Sequence, residues 1–231
     1  RGYPMWSVVA FFKELAMIAK ISKHKVPYYN VLIKTAFKLS NATAEKRRLK
    51  DTFSGKMPSA VLDRAYSCGK PTAFLVHHGA IWTEIVSGIN DYLVTTRDDS
   101  EISENREEIT QIVKTAANGL NFFRRQIKSV NGKSTYVNPS YPGNCSKLDG
   151  TPGFPLAMNM SASAGDLALM LIKFFKKDQA LLTMISPVLS RNRNKYLTMQ
   201  SENLKVAMNS VMPFLHNRSD GQVVWNYRPK V

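Results

Sequence analysis

At 231 residues with 44% hydrophobic side chains, the chain is too apolar to be a disordered polypeptide. Its 32 Lys+Arg against 17 Asp+Glu leave a net charge of +15. Such an excess repels itself in a compact fold and points to a polyanion, nucleic acid first and an anionic membrane surface second.

The elements follow in chain order. "MWSVVAFFKELAMIAKI" (5–21) is apolar nearly all round and predicts a well-buried helix. "YYNVLIKTAFKL" (28–39) predicts a helix opened by Pro27. "PSAVLDRAYS" (58–67) predicts a helix from Pro58 that stops near Gly69. "AIWTEIVSGINDYL" (80–93) repeats Ile81, Ile85, Ile89 and Leu93 at i+4, a core stripe. "TTRDDSEISENREE" (95–108) is an acidic linker or helix start, with Ser103 as N-cap and Glu107 near the capping-box position. "EEITQIVKTAANGLNFFRRQIK" (107–128) predicts a long helix with a break at Asn118-Gly119. Residues 129–155, rich in Gly, Pro, Asn and Ser, predict a loop. Further helices are expected over 164–185 and, opened by a Ser-Glu cap, over 201–215. The fold class is all-α. The acidic seam near 95–108 divides an N-terminal helical lobe, 1–105, from a C-terminal lobe, 106–231.

No apolar run reaches the length of a membrane span, the strongest being "LALMLI" (167–172), so no membrane insertion is expected. Cys68 and Cys145 form no CxxC and no zinc-spaced cluster, and read as free thiols in a reducing compartment. The chain opens on Arg1 rather than Met, and further residues are expected before it in the native protein.

Catalytic signatures are scarce. "NGKS" (131–134) has the ending of a phosphate-binding loop, but Ile127 stands where the first glycine belongs. The adjacent pair His77-His78 would point about 100° apart on a helix and could not easily share a metal. His24 and His216 have no acidic or Cys neighbours in a useful pattern. The reading is a binding protein, not an enzyme, with no cofactor.

Three basic clusters carry polar or aromatic company. Lys38 and Asn41 lead to Lys46, Arg47, Arg48 and Lys50. Lys114 leads to Phe122, Phe123, Arg124, Arg125 and Lys128. Lys173, Lys176 and Lys177 lead to Arg191, Arg193 and Lys195. Any one of these alone reads as a solvated helix face. Three together at +15 favour a groove for single-stranded nucleic acid, in which cations hold phosphates and apolar surfaces take bases.

The segment "LTMISPVLSRNRNKYL" (182–197) and the later "LKVAMNS" place Ile185, Pro187, Leu189 and Arg191 about twenty residues before Ala207, Asn209 and Ser210. This resembles the C-terminal lobe of phlebovirus-type (phenuivirus) nucleoproteins, with their Ile-x-Pro-x-Leu-basic segment and Ala-x-Asn-Ser element. "PSYP" (139–142), "KTAANGLNF" (114–122), "NATAEKRRLK" (41–50) and "GYPMW" (2–6) resemble further pieces of that family in the same order. Two departures stand out. Ser190 occupies the place of the family's key arginine, with Arg191 next door, and residues 56–105 carry no match.

The resemblance implies two helical lobes around a positively charged groove. Single-stranded viral RNA would lie there with its bases inward, bound independently of sequence. Copies would join into a homo-oligomer through an N-terminal arm placed before Arg1, and the viral polymerase would be a further partner, in the virion and the host cytoplasm. By matched position, Tyr3 and Trp6 would meet bases or the groove mouth. Lys38, Asn41, Arg47, Arg48 and Lys50 would hold phosphates from the first lobe. Lys114 and Phe122 would form the floor, with Arg124 beside them, and Arg191 and Arg193 the far wall. Trp6, on an apolar helix, reads first as core, and of Phe122 and Phe123 one is expected to be core without the sequence saying which. Coat proteins of flexuous filamentous plant viruses, similar in fold, are the alternative. A nucleic-acid-processing enzyme is the third reading.

Overall fold

The computed structural model describes residues 5–52, 54–64, 70–96, 98–139, 153, 155–212, 215–217 and 223–225. It is mostly helical. The helices are α1 Met5–Ile21, α2 Lys25–Ser40, α3 Ala44–Arg47, α4 Leu75–Thr95, α5 Asp99–Glu104, α6 Arg106–Phe122, α7 Met158–Phe175, α8 Gln179–Ile185, α9 Pro187–Arg191 and α10 Arg193–Val211. Among the described residues strands occur only as three antiparallel pairs: β1 Asp63–Arg64 with β2 Pro71–Thr72, β3 Ile127–Val130 with β4 Lys133–Tyr136, and β5 Leu215–Asn217 with β6 Val223–Trp225.

The helix α4 is the centre of the packing. Its i+4 stripe of Ile81, Ile85 and Ile89 is buried, and so are Trp82, Val86 and Tyr92 on its other sides. It can therefore bury surface against α1, α2, α6 and α7 at once. A single hydrophobic cluster joins Phe12, Tyr29 and Trp82 to Leu120, Phe174 and Leu189, so both halves of the chain share one core. Among the described residues, no helix is long and apolar enough to cross a membrane.

Several expectations are corrected. α1 is not well buried. Only Met5, Phe12 and Ala19 are inside, because residues seven apart form one narrow line on a helix. Residues 58–64 form bends and β1 rather than a helix. The carbonyls of Pro58 and Ala60 instead accept the Glu45 and Ala44 amides at 3.0 and 2.8 Å, satisfying donors that the start of α3 leaves free. Ser103 lies inside α5, which Asp98 caps by accepting from the Ser100 amide; α6 then follows Asn105. No break occurs at Asn118-Gly119, where α6 continues to Phe122. The expected helix over 164–185 is interrupted after Phe175, because Asp178 accepts the Ala180 and Leu181 amides and starts α8. Ser201 is no cap but lies in the interior of α10, which begins at Arg193. The "NGKS" stretch is the tip of the β3–β4 hairpin. Asn131 and Gly132 both take positive φ, 50° and 73°, which a two-residue turn between right-twisted strands requires.

His78 on α4 is buried, with Nε2 3.0 Å from the Ala116 carbonyl of α6. A carbonyl only accepts, so that nitrogen donates. Burial holds the imidazole down at about 4, and the bond to Ala116 offsets this only in part. Burial also lowers His77, against an upward pull from Asp63. An unfolded histidine takes a proton near pH 6.5, while folded His78 refuses it until about 4. The unfolded state thus binds more protons in this window, and stability falls as pH drops from about 6.5 to about 4. The full window is worth about 3 kcal/mol. Thermal melts at either end should show a steeper acid loss for the wild type than for His78→Gln; equal slopes would refute the assignment.

Candidate functional site

A cleft of about 840 Å³ opens between α3, α6 and the α8–α9 junction. α6 lays its floor. Ile109, Ile112, Val113, Ala116, Ala117 and Leu120 face the core. The opposite stripe, Glu107, Gln111, Lys114 and Asn118, follows at helical spacing and faces the cleft. Glu45, Lys46 and Ser59 form one wall, and the run from Thr183 to Val188 forms the other. That run changes direction at Ser186, whose Oγ accepts the Leu189 amide, while Pro187 opens α9. Polar bridges fix the walls to the floor. Thr110 Oγ1 donates to the Ile185 carbonyl at 3.2 Å. Gln111 Nε2 donates to Ser40 Oγ at 2.6 Å and Asn41 Oδ1 at 2.8 Å.

The lining carries three cations, Lys46, Arg106 and Lys114, and two carboxylates, Glu45 and Glu107. Glu45 accepts a hydrogen bond from Ser59 Oγ. None of the three cations is in an ion pair with a described residue. Lys46 leads directly into the exposed Arg47, Arg48 and Lys50, so positive charge continues outward from that wall. Hydroxyl and amide groups of Thr110, Gln111, Asn118 and Thr183 add hydrogen-bonding capacity, and Met184, Ile185, Pro187 and Val188 add an apolar side. Cations with neutral donors suit a phosphodiester, and an apolar wall suits a base face. Among the described residues no group of His, Cys, Asp and Glu could hold a metal ion.

Of the residues singled out in the sequence, Lys114 lines the cleft and Asn41 touches its floor through Gln111. Lys38, Arg47, Arg48 and Lys50 are exposed without lining it. Arg191 is exposed one helical turn beyond Pro187. Arg193 points elsewhere: its Nε donates to the Phe175 carbonyl at 2.7 Å, and Nη1 to Gln179 Oε1 at 3.3 Å, closing the end of α7. Arg124 pairs with Glu202 of α10 at 2.7 Å. Phe123 is core, and the half-buried Phe122 lies under the Arg125 guanidinium, 3.3 Å from the ring centroid. Arg125 in turn reaches Asp51, a buried carboxylate that also accepts from Ser54 and Ala73. Trp6 is exposed, not core, and meets His77 edge-on at 5.4 Å, outside the cleft lining. Tyr3 lies outside the described residues.

No family model matches the chain, and no curated protein or solved structure does either. Three of the segments singled out in the sequence meet in the cleft. Glu45 and Lys46 come from "NATAEKRRLK", Lys114, Thr115 and Asn118 from "KTAANGLNF", and Ile185 and Pro187 from the Ile-x-Pro segment.

Arg106, Thr110, Gln111 and Ser186 were missed by sequence reasoning. The signal for the first three was present, since the polar positions of 106–118 recur every three or four residues opposite an apolar stripe. That pattern alone could not say that another wall faces it.

Proposed function

We propose that this protein encapsidates single-stranded RNA as the nucleoprotein of an RNA virus, holding the strand in the cleft between α3, α6 and α8–α9. The observation that carries this reading is the convergence of Lys46, Arg106 and Lys114, none in an ion pair with a described residue, across from an apolar wall. The cations take phosphates, the amides and hydroxyls of the floor take phosphate or sugar oxygens, and Ile185, Pro187 and Val188 take base faces. An apolar wall without base-specific donors tolerates any sequence. The N-terminal and C-terminal lobes are then the two sides of the cleft, joined beneath it by the shared core.

Neighbouring copies add along the strand. The surface that a neighbouring copy would engage is an apolar groove of about 230 Å³ between α7 and α10, bordered by Gly165, Leu169, Ala207, Met208 and Met212. A head-to-tail contact of this kind generates rings or open filaments rather than two-fold dimers. The coat protein of a flexuous filamentous virus would use the same RNA chemistry. Images of extracted particles separate the two readings, a naked flexible ribonucleoprotein against a regular rod.

The test of RNA binding is its salt dependence. With the three cleft cations and the exposed Arg47 and Arg48 beside them neutralising about four to five phosphates per subunit, log affinity against log salt should fall with a slope of about −3 to −3.5 for a single strand. Fluorescence anisotropy with unrelated short RNAs measures it. A slope near zero, or a strong preference for one sequence, would overturn the proposal.

A further inference from the structure

A single 3-10 turn, Phe123–Gln126, follows α6 and leads into the β3–β4 hairpin beside another pocket, of about 340 Å³. Asp51, Ser54, Arg125, Gln126, Lys128 and Asn138 border it. The Arg125 guanidinium is fixed on two sides. It lies over the Phe122 ring, 3.3 Å from the centroid, and Nη2 reaches Asp51 Oδ2 at 3.4 Å. Its remaining N–H groups donate to no described residue. Lys128 is exposed and in no ion pair with a described residue. Gln126 is only 8% exposed, and its side-chain amide is in no hydrogen bond with a described residue.

We propose that this pocket holds one phosphodiester of a single strand, as an anchor beyond the cleft. Arg125 and Lys128 take the phosphate oxygens, and the Gln126 amide donates beside them. The proposal rests on the reading of the cleft as an RNA site. A guanidinium already held by a carboxylate and a ring loses little freedom when its remaining donors meet an oxyanion. One segment edges both sites. Glu45, Lys46 and Ser59 border the cleft, and Asp51 and Ser54 border the pocket. Along that segment Arg47, Arg48, Lys50 and Lys56 are exposed. A strand that leaves the cleft along this edge keeps cations beside it.

The charges select the ligand. Asp51 is buried, and its oxygens are already taken: Oδ1 accepts the Ala73 amide at 2.9 Å and Oδ2 the Ser54 amide at 2.9 Å. Arg125 balances it, so Lys128 leaves the lining with one net positive charge. That suits the single charge of a phosphodiester rather than the nearly two of a phosphomonoester. A peptide carboxylate also carries one charge. The cations along the connecting edge decide between them, because a strand brings a phosphate for each and a lone carboxylate does not.

The experiment is fluorescence anisotropy of the full, RNA-free chain with two single-stranded RNAs, one short enough to occupy the cleft alone and one long enough to reach the pocket. Lys128→Ala should weaken the long strand about fourfold at about 0.15 M salt and lower its log–log salt slope by about 0.7. The short strand should be unaffected. Lys133→Ala makes the same change of charge on the same hairpin, outside the pocket lining, and should move neither strand. Arg125→Lys keeps a cation beside Asp51 but loses the fork, so the long strand should weaken with its slope unchanged. Equal losses for Lys128→Ala and Lys133→Ala, or no loss for Lys128→Ala, would overturn the pocket while a steep wild-type slope on the short strand left the cleft reading standing. A wild type without salt dependence on either strand would remove both. Binding of a glutamate-rich peptide that Lys128→Ala abolishes, with long-strand affinity unchanged, would give the pocket to a protein and sink the proposal.

Discussion

Replacing Lys46 and Lys114 together by Ala lowers the affinity for single-stranded RNA about tenfold or more at about 0.15 M salt, and reduces the log–log salt slope by about 1.4, roughly 0.7 for each lost phosphate contact. The two residues stand on one wall and on the floor of one cleft, on α3 and α6, and neither is in an ion pair with a described residue. Their removal therefore breaks no ion pair among the described residues, and stability should stay within about 0.5 kcal/mol of the wild type. All sequences should weaken alike, because phosphate contacts carry no base information. Arg193→Ala is the informative contrast. It removes a charged donor from the Phe175 carbonyl and from Gln179, so it should lower the unfolding free energy by about 1.5–3 kcal/mol while leaving the salt slope near that of the wild type. Anisotropy titrations at several salt concentrations, paired with thermal melts, separate the two outcomes. If Arg193→Ala moved the slope and the Lys46/Lys114 pair did not, the RNA would lie elsewhere.

Gly119→Ala unfolds or severely destabilises the protein, against the ordinary rule for helices. In an exposed helix interior the change from Gly to Ala stabilises by about 1 kcal/mol. Here α6 passes so close to α4 and to the 58–60 segment that an added Cβ would lie 2.5 Å from His78 Nε2. It would also press into His78 Cε1 and the Ser59 carbonyl oxygen. The histidine cannot retreat without losing its bond to Ala116, and it is packed against Trp82 and Phe123. The backbone at Ser59 cannot retreat easily, because its neighbours Pro58 and Ala60 hold the amides that start α3. Overpacking of this kind costs about 3 kcal/mol or more, a large part of the roughly 5–15 kcal/mol that holds a domain together. The damage would reach the cleft, since Glu45, Lys46 and Ser59 form its wall. Urea unfolding provides the measurement. A midpoint equal to or above that of the wild type would show that the close approach does not exist.

Much of the helical frame was legible in the residues. The i+4 isoleucines of α4 and the apolar stripe of α6 are periodic patterns, and a local period is what a helix turns into a face. The same local logic should have revealed the β3–β4 hairpin from Asn131-Gly132, but its strands are only four residues long and too short to show alternation. Where the long side chains end up was not legible. Arg191 and Arg193 are two residues apart in one basic run, yet one is exposed near the cleft and the other is bound to a carbonyl eighteen residues away. Phe122 and Phe123 are adjacent and equivalent by composition, and only packing makes one of them core. α1 is apolar nearly all round, which sequence alone equates with burial, but it has neighbours on one side and so shows the other to solvent. Charge, fold class and the helix-forming segments thus belong to the sequence by itself, because they depend on composition and on neighbours three or four residues apart. The cleft belongs to the tertiary structure. Its floor at 106–118 and its walls at 45–59 and 183–188 are far apart along the chain, and only the packing of α6 against the shared core sets them face to face.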